Sequence, residues 1–260
     1  MKIRSTAILA ITLGFAITSV HAQFGNQPGG SQGLRFNGAM AKFFGDTANF
    51  SANVEMEMKG AALADTLKVP GKIAVADGKS RFDMDVTQIK GGGIAESVLA
   101  QMKSMGMDKV VMLSRPDMKA NYQVYPNVQA YMEAAMPENE AAEKASNFKI
   151  ETTDAGKETV DGHPCVKTKA VVTDAKGVKS EATLWKATDL KNFPVKLEKT
   201  DSGTLITMLF KDVKLAKPDA KLFEPPADST KYDDPQALMQ GAMAKRFGRG
   251  QGAPPRKQDQ

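Results

Sequence analysis

The feature that most constrains the fold is a run of alternating apolar and polar residues between Phe148 and Pro226. Turn residues divide this run into five alternating segments. The segments cover residues 148–150, 165–171, 181–185, 193–197 and 204–210. Because successive side chains of a β-strand point to opposite faces, alternation at period two predicts a sheet with one polar and one apolar face. An apolar face of this width must be covered, and what covers it is the question of function.

The residues before this run also carry strand patterns, some of them alternating and one of them a continuous apolar run. Strands are predicted at 50–58, 67–75, 82–86, 110–113, 120–125 and 128–132. Asp77 and Gly78 are a strong hairpin signal between the second and third of these strands. Pro70 and Gly71 interrupt the second strand, and this favours a sheet edge or a bulge, since proline cannot donate a backbone hydrogen bond.

Helical spacing of apolar residues occurs in the segments between the strands and at both ends of the chain. Helices are predicted over 34–44, 94–105 and 136–146, and from Pro235 onward. Three consecutive glycines, Gly91 to Gly93, precede the second of these helices and suggest a hinge. Asp234 is a good N-cap for the last helix, and Pro235 suits its first helical position.

The N-terminal residues are typical of an export signal. Positive residues precede an apolar stretch over 7–20, and residues 20–22 form a small-x-small cleavage site. The stretch is shorter than the roughly 20 residues that a membrane-spanning helix needs. We therefore expect a signal peptide over residues 1–22, cleaved after Ala22, and a periplasmic protein.

The expected mature chain has a mild charge and a single cysteine. Removal of the signal, with Lys2 and Arg4, takes the formal charge from +5 to +3, which is too small to demand a nucleic-acid partner. Cys165 is alone, so the chain forms no internal disulfide despite export. The expected organisation is a signal peptide at 1–22, a flexible lead-in at 23–33, one domain at 34–230, an amphipathic helix at 231–248 and a disordered tail at 249–260.

Six short motifs occur in a fixed order along roughly residues 35–228. They are residues 48–52, 77–82, 156–165, 185, 193–196 and 218–226. Together they resemble the outer-membrane lipoprotein-sorting superfamily with its LolA, LolB and RseB-like folds, and within it an exported bacterial branch. The resemblance implies a mainly β, α+β fold, in which a curved antiparallel half-barrel sheet carries helices on its concave face. It also implies a cavity like the one that holds lipoprotein acyl chains in the best-known members.

The chain departs from that superfamily in two places. It adds a helical insert near 94–107 and a basic C-terminal helix and tail. No functional residue of the superfamily matches clearly enough to be carried over, so cargo and partners do not follow from the resemblance.

Catalytic and metal-binding interpretations find little support in the residue types. A histidine-based triad needs a nucleophile and a carboxylate that converge on the ring. Asp161, His163 and Cys165 could be drawn as a thiol–imidazole group, but a turn followed by a buried cysteine accounts for the same residues. Met56 and Met58 offer soft sulfur for copper, yet methionines that alternate in a strand are ordinary core residues. We expect no enzyme, no cofactor and no metal.

The abundance of methionine favours a different use, because its unbranched, polarizable side chain adapts to apolar ligands of varied shape. If the helical insert packs into the half-barrel as a lid, its methionines face the same cavity as the strand residues. The predicted cavity lining is Phe82, Met84, Val98, Met102, Met105, Met112 and Trp185. The predicted function is non-catalytic binding of a lipid or an acylated protein.

An envelope interaction or stress-sensing module is the alternative. Basic residues follow the apolar face of the C-terminal helix, and they are Lys245, Arg246, Arg249, Arg256 and Lys257. A basic amphipathic helix can lie on an anionic membrane or on an acidic partner. A solvated helix end accounts for the same residues. The RseB-like resemblance adds a protein partner to this alternative.

Overall fold

The computed structural model describes residues 38–136 and 148–247. The predicted signal peptide, the lead-in, the helix expected after Met136 and the C-terminal tail lie outside the described residues. Within the described ranges, no helix combines the length and the apolar character that crossing a bilayer requires.

In these ranges, twelve strands form one large, open, curved sheet. They are β1 (Phe50–Lys59), β2 (Leu67–Ala76), β3 (Lys79–Asp85), β4 (Lys109–Arg115), β5 (Ala120–Tyr125), β6 (Ala130–Ala135), β7 (Lys149–Val160), β8 (His163–Thr173), β9 (Lys179–Ala187), β10 (Phe193–Asp201), β11 (Thr204–Lys214) and β12 (Thr230–Tyr232). The order across the sheet is β12-β6-β5-β4-β3-β2-β1-β11-β10-β9-β8-β7. Every neighbouring pair is antiparallel except β12 with β6. The predicted mainly β class with a curved antiparallel sheet is confirmed.

The cross-strand registers assign side chains to two faces. Phe82 lies opposite Ile73 of β2 and Met112 of β4, while Val54 of β1 lies opposite Phe210 of β11. We call this side the apolar face. Its buried residues include Phe50, Val54, Met56, Val69, Val75, Phe82, Val110, Met208 and Phe210. The other side, the polar face, carries Ser51, Asn53, Glu55, Glu57, Lys72, Arg81, Asp83 and Lys211 on the same strands.

The polar face is not polar throughout. On β4 to β6 its residues form a second buried apolar cluster, made of Val111, Leu113, Ala120, Tyr122 and Val124 with the half-buried Tyr131. These strands are therefore apolar on both sides, which explains the continuous apolar run over 110–113 in the sequence.

Helix α1 (Gly38–Phe44) packs on the apolar face through an aromatic cluster. Phe44 stacks on Phe50 with ring centroids 5.0 Å apart, and it meets Phe193 and Phe210 edge-on at 5.3 and 5.5 Å. Such pairs add roughly 0.5–1.5 kcal/mol each beyond area burial. Gly45 follows the helix with a φ of 52°, a left-handed conformation that glycine adopts without strain.

The insert between β3 and β4 carries helix α2 (Glu96–Ser104). At its base the Val86 N–H donates to the carbonyl of Asp108 at 2.8 Å. Before α2, Lys90 exchanges two backbone hydrogen bonds with Lys68 of β2, at 2.8 and 3.0 Å. The insert is therefore fixed to the sheet on both sides of the helix.

Three glycines lead from Lys90 into α2, and close packing requires them. Gly91, Gly92 and Gly93 have φ values of 76°, 70° and 76°. A Cβ on Gly91 would lie 2.1 Å from the carbonyl oxygen of Thr66. The segment predicted as a free hinge is thus packed against the β1–β2 connection.

The edge or bulge predicted at Pro70 is wrong. Strand β2 lies inside the sheet, and its register with β1 runs without a shift from Phe50 to Met58. The backbone N–H of Lys68 points toward the β3 side of β2, where it pairs with Lys90. Because backbone N–H groups of alternate residues point to the same neighbouring strand, the nitrogen of Pro70 also points toward the β3 side. Pairing between β2 and β3 begins only at Gly71. Proline is tolerated because its missing N–H faces a gap in the neighbouring strand.

The connection after β11 crosses the polar face to the far edge of the sheet. Its 3₁₀ turn, Ala220–Phe223, places the buried Phe223 against Ala74 and Ala76 of β2. The chain then adds β12 parallel to β6, a strand that the sequence did not predict. Helix α3 (Pro235–Phe247) follows and contacts β6 and β12, and the Asp234 carboxylate accepts from the Ala237 N–H at 2.8 Å as the predicted N-cap.

Candidate ligand-binding face

A row of half-buried methionines crosses the apolar face. Met112 of β4 and Met132 of β6 both lie opposite Gln123 of β5, and Met84 of β3 is a diagonal neighbour of Met112. We call Met84, Met112 and Met132 the methionine row. Each keeps part of its side chain accessible. The row therefore presents adaptable apolar surface where a sheet usually seals its core.

Three further methionines lie on the same apolar face, on the central strands β1 and β11. Met56 of β1 lies directly opposite Met208 of β11, and both are buried. Met58, on the same face, is half-buried. Met58 and Met132 were not among the predicted cavity residues. Counting methionines by parity along the predicted strands would have found them.

The structure brings together three of the seven predicted cavity residues. Phe82 and Met112 are direct cross-strand partners, and Met84 is next to them on the apolar face. Val98, Met102 and Met105 belong to the insert and are half-buried, but no residue of α2 is buried. The main contact of α2 is the short turn Val86–Gln88.

Trp185 does not belong with the other predicted cavity residues. It lies opposite Lys167 of β8 and Lys196 of β10 on the polar face, whereas its neighbour Leu184 faces the apolar side. The two lysine ammonium groups lie 4.9 and 4.1 Å from the ring centroid. The indole Nε1 donates to Glu158 Oε2 at 2.9 Å, and this hydrogen bond lowers the pKa of Glu158. The indole is 2% exposed because these side chains cover it.

The residues considered for catalysis form no activated nucleophile. His163 Nδ1 lies 2.8 Å from Asp189 Oδ2, so Asp189 and not Asp161 is its carboxylate neighbour. The Cys165 thiol donates to the backbone carbonyl of His163 at 3.3 Å. Burial raises the pKa of this thiol, which keeps it protonated at neutral pH. The arrangement lacks the thiolate that a cysteine nucleophile needs.

The described residues offer little to a metal ion. They contain no group of three or more His, Cys, Asp and Glu side chains in metal-binding proximity. Met56 and Met58 share the apolar face, whereas His163 and Cys165 belong to a different strand.

The basic end of α3 is partly used inside the protein. Lys245 Nζ donates to the carbonyls of Val128 and Gln129 at 3.2 and 3.1 Å, and to Thr230 Oγ1 at 3.1 Å. This lysine therefore fastens α3 to the β6–β12 edge. The other basic residues of the predicted membrane-binding set have no described side chains.

Comparison with protein-family models places the chain in a family. The chain belongs to the family described as Domain of unknown function (DUF4412), whose model matches residues 54–193, more than half of the chain. The match runs from within β1 to the start of β10. A comparison with curated proteins gave no match.

Solved structures similar to this chain include a mycobacterial lipoprotein, the mycobacterial protein LprF and a LolA superfamily protein. The lipoprotein LppX of Mycobacterium tuberculosis has 10% identity and a TM-score of 0.39, over 68% of this chain and 93% of that one. LprF of Mycobacterium bovis has 11% identity and a TM-score of 0.40, over 74% and 96%. A LolA superfamily protein of Nitrosomonas europaea has 12% identity and a TM-score of 0.35, over 72% and 94%. Likeness of this degree says nothing about ligand or mechanism, which must follow from the residues themselves.

Proposed function

We propose that this protein is an exported, non-catalytic binding protein that takes a lipid or an acylated protein on the apolar face of its sheet. The methionine row carries this proposal. A sheet that only needed a sealed core would bury branched aliphatic residues there, whereas three half-buried thioethers leave an adaptable apolar surface.

The hydrophobic effect is large enough for such a ligand. Each methylene that leaves water contributes roughly 0.8 kcal/mol. An acyl chain with about ten methylenes therefore gains enough to displace a helix that holds only half-buried side chains. We propose α2 as that displaceable cover, with Val98, Met102 and Met105 facing the ligand. Because Lys90 and Asp108 are held by backbone hydrogen bonds, residues 91–93 pack against the β1–β2 connection and Met107 is buried, movement is confined to residues 94–106.

A titration with a fluorescent fatty acid tests the site. The delipidated full chain is expected to show saturable uptake, and Met84→Gln with Met112→Gln is expected to weaken it roughly tenfold, since polar amides replace apolar contacts. Met118→Gln is the matched control, because Met118 is 54% exposed and lies outside the row. Absence of saturable uptake by the folded protein, or equal weakening in the control, would contradict the proposal.

Export belongs to the same proposal and rests on the signal pattern of residues 1–22. The protein recovered from a periplasmic extract is expected to begin at Gln23. N-terminal sequencing checks this, and a chain that still begins at Met1 would contradict cleavage.

A protein partner or membrane surface at the C-terminal helix is the second candidate. Lys245 is already engaged with the β6–β12 edge, so the cationic surface of α3 is smaller than the sequence suggested. Sedimentation with anionic vesicles separates the two candidates. Binding that disappears when the residues after Phe247 are deleted would favour the second.

A further inference from the structure

A pocket of about 340 Å³ lies on the polar face, away from the methionine row. Its floor is formed by four adjacent strands, β11, β1, β2 and β3, and the crossing connection supplies a wall through Leu222. Ser51, Asn53, Lys72, Arg81 and Lys214 line it. Neither the composition of the sequence nor its alternating pattern predicted this pocket.

A bulge in β11 opens one side of the pocket. Lys211 lies opposite Asn53 and Lys214 lies opposite Ser51, so β11 has one more residue than β1 over this stretch. Asp212, within the bulge, has a φ of 52°. A bulge bends its strand and increases the local twist. Asp212 in the bulge and Lys214 after it both line the pocket.

Two arginines fix the opposite wall. Arg81 Nη1 donates to the carbonyl of Leu222 at 2.9 Å, and Arg115 Nη1 donates to the carbonyl of Phe223 at 3.1 Å. Arg115 also pairs with Asp117 through two nitrogens at 2.8 and 2.9 Å. These hydrogen bonds tie the connection to β3 and β4, and the pocket is preformed on that side.

The charges around the pocket do not cancel. Asp83 is taken by a bidentate contact with Arg81 at 2.6 and 2.7 Å, and Asp212 accepts from the Asn53 amide at 2.6 Å. Lys72 and Lys214 have no acidic partner among residues 38–136 and 148–247. The two acids are thus engaged with neighbours, while two cations have their ammonium groups free.

The two lysines stand on either side of β1. Lys214 lies opposite Ser51, and Lys72 lies opposite Asn53, two residues further along the same face. Neighbouring strands are about 4.8 Å apart and successive residues rise about 3.4 Å, so the two lysine backbones are roughly 12 Å apart on the diagonal across β1. Side chains of this length can reach a common point above Ser51 and Asn53. That point is accessible from solvent through the open pocket.

We infer that this pocket binds a phosphate-like oxyanion between Lys72 and Lys214. The ammonium groups supply charge-assisted hydrogen bonds, and Ser51 supplies a hydroxyl donor beneath the anion. The carboxylates of Asp83 and Asp212 lie near the anion and repel it, so a singly or doubly charged group is preferred to a more highly charged one. The anion comes either as free phosphate or as the headgroup of a phosphorylated molecule.

Calorimetric titration of the full chain with inorganic phosphate tests the inference. Saturable binding is expected, and Lys72→Ala with Lys214→Ala is expected to weaken it more than tenfold. Lys169→Ala is the matched control, because Lys169 is an exposed lysine on the same face of the sheet, on β8, outside the pocket. A control that weakens binding equally, or phosphate that shows no saturable binding, would overturn the inference.

A second titration with glycerol phosphate distinguishes the two sources of the anion. Tighter binding than inorganic phosphate supports a headgroup ligand, and equal binding supports free phosphate. The result is independent of the acyl-chain proposal, because the methionine row lies on the other face. The double variant of Met84 and Met112 is expected to lose fatty-acid uptake and to bind phosphate as the parent protein does.

Discussion

Trp185 shows how an apolar residue can be buried and still lie on the polar face of a sheet. Two lysines lie over its ring and a glutamate accepts its N–H, so every polar group around the indole has a partner. The sequence could not assign its face, because Leu184 and Trp185 are adjacent and both apolar. Alternation identifies the strand, but the partner residues on β8 and β10 decide which of the two points toward the core.

Tyr125 is expected to make the protein less stable as the pH rises above 10. Burial raises its pKa to about 12, although the hydrogen bond from Gln123 acts in the opposite direction. An unfolded tyrosine titrates near 10. Between these values the unfolded chain releases this proton and the folded chain keeps it. The free energy of unfolding therefore falls with rising pH, by up to about 1.4 kcal/mol per unit, and is unaffected by this group below pH 10.

Urea unfolding between about pH 9 and 12 measures this effect. Tyr125→Phe is expected to make the pH dependence less steep, because it removes the buried hydroxyl whose pKa is raised to about 12. Tyr131→Phe, a half-buried tyrosine on β6, is the control. Identical slopes in the parent protein and the Tyr125 variant would show that the hydroxyl is not responsible.

At the scale of elements, the strands were predictable and their partners were not. Alternation located most of β1 to β6 and β8 to β11 to within a few residues, because most of these strands expose one face, whereas β4 was located by its continuous apolar run. It missed β12, whose three residues are too few for a pattern and whose register is set by β6. That pairing includes the ion pair of Lys231 with Glu133, at 2.7 Å, between residues far apart in the chain. The methionine row likewise could be recognised only from the registers of three strand pairs, β3–β4, β4–β5 and β5–β6.

The glycines before α2 are expected to contribute to the free energy of unfolding in two ways, through close packing and through their left-handed backbone conformation. Gly91 and Gly78 have nearly equal φ values of 76° and 77°, but only Gly91 has a neighbour where a Cβ would lie. Gly78→Ala should cost roughly 1–2 kcal/mol through the left-handed backbone alone. Gly91→Ala should cost clearly more, since the Thr66 backbone must move. Urea unfolding of both variants gives the difference, and equal losses would exclude a packing role.

Lys245 is expected to hold α3 against the sheet edge. Lys245→Met removes three hydrogen bonds and should lower the local stability of α3 by roughly 1–2 kcal/mol. Residues 38–45 and 241–248 have the same sequence except at one position, and Lys42 of α1 corresponds to Lys245 of α3. Lys42→Met is therefore the control. Hydrogen exchange of residues 235–247 measures the effect. Unchanged protection in the Lys245 variant would show that apolar contacts alone fasten the helix.

At the scale of the whole molecule, one continuous sheet links every described element. The aromatic cluster under α1 lies on the central strands β1, β11 and β10, and α3 lies at the β6–β12 edge, yet the strand pairs between them are unbroken. From the sequence we expected one domain over residues 34–230, on the basis of the family resemblance. The pocket on the polar face escaped prediction, because it depends on a bulge and on a connection that returns across the sheet.

Unfolding is therefore expected to be a single cooperative transition. Trp185, the only tryptophan in the chain, reports on β9 through its fluorescence, whereas far-UV circular dichroism reports on all strands. The two signals should give the same urea midpoint, because no seam divides the sheet. Separate midpoints would mean that the two ends of the sheet unfold independently.

The two borders of the sheet differ in a way that limits self-association. One border ends in β12, a three-residue strand that runs parallel to its neighbour and lies next to α3. The other ends in β7, twelve residues long, exposed and interrupted by an irregularity near Gly156. Of the two described borders β7 is the longer, so copies that meet through strand pairing are expected to use it, in an isologous contact that closes at two molecules. Within residues 38–136 and 148–247, the three-residue border at β12 is too short to extend such a dimer into a fibre.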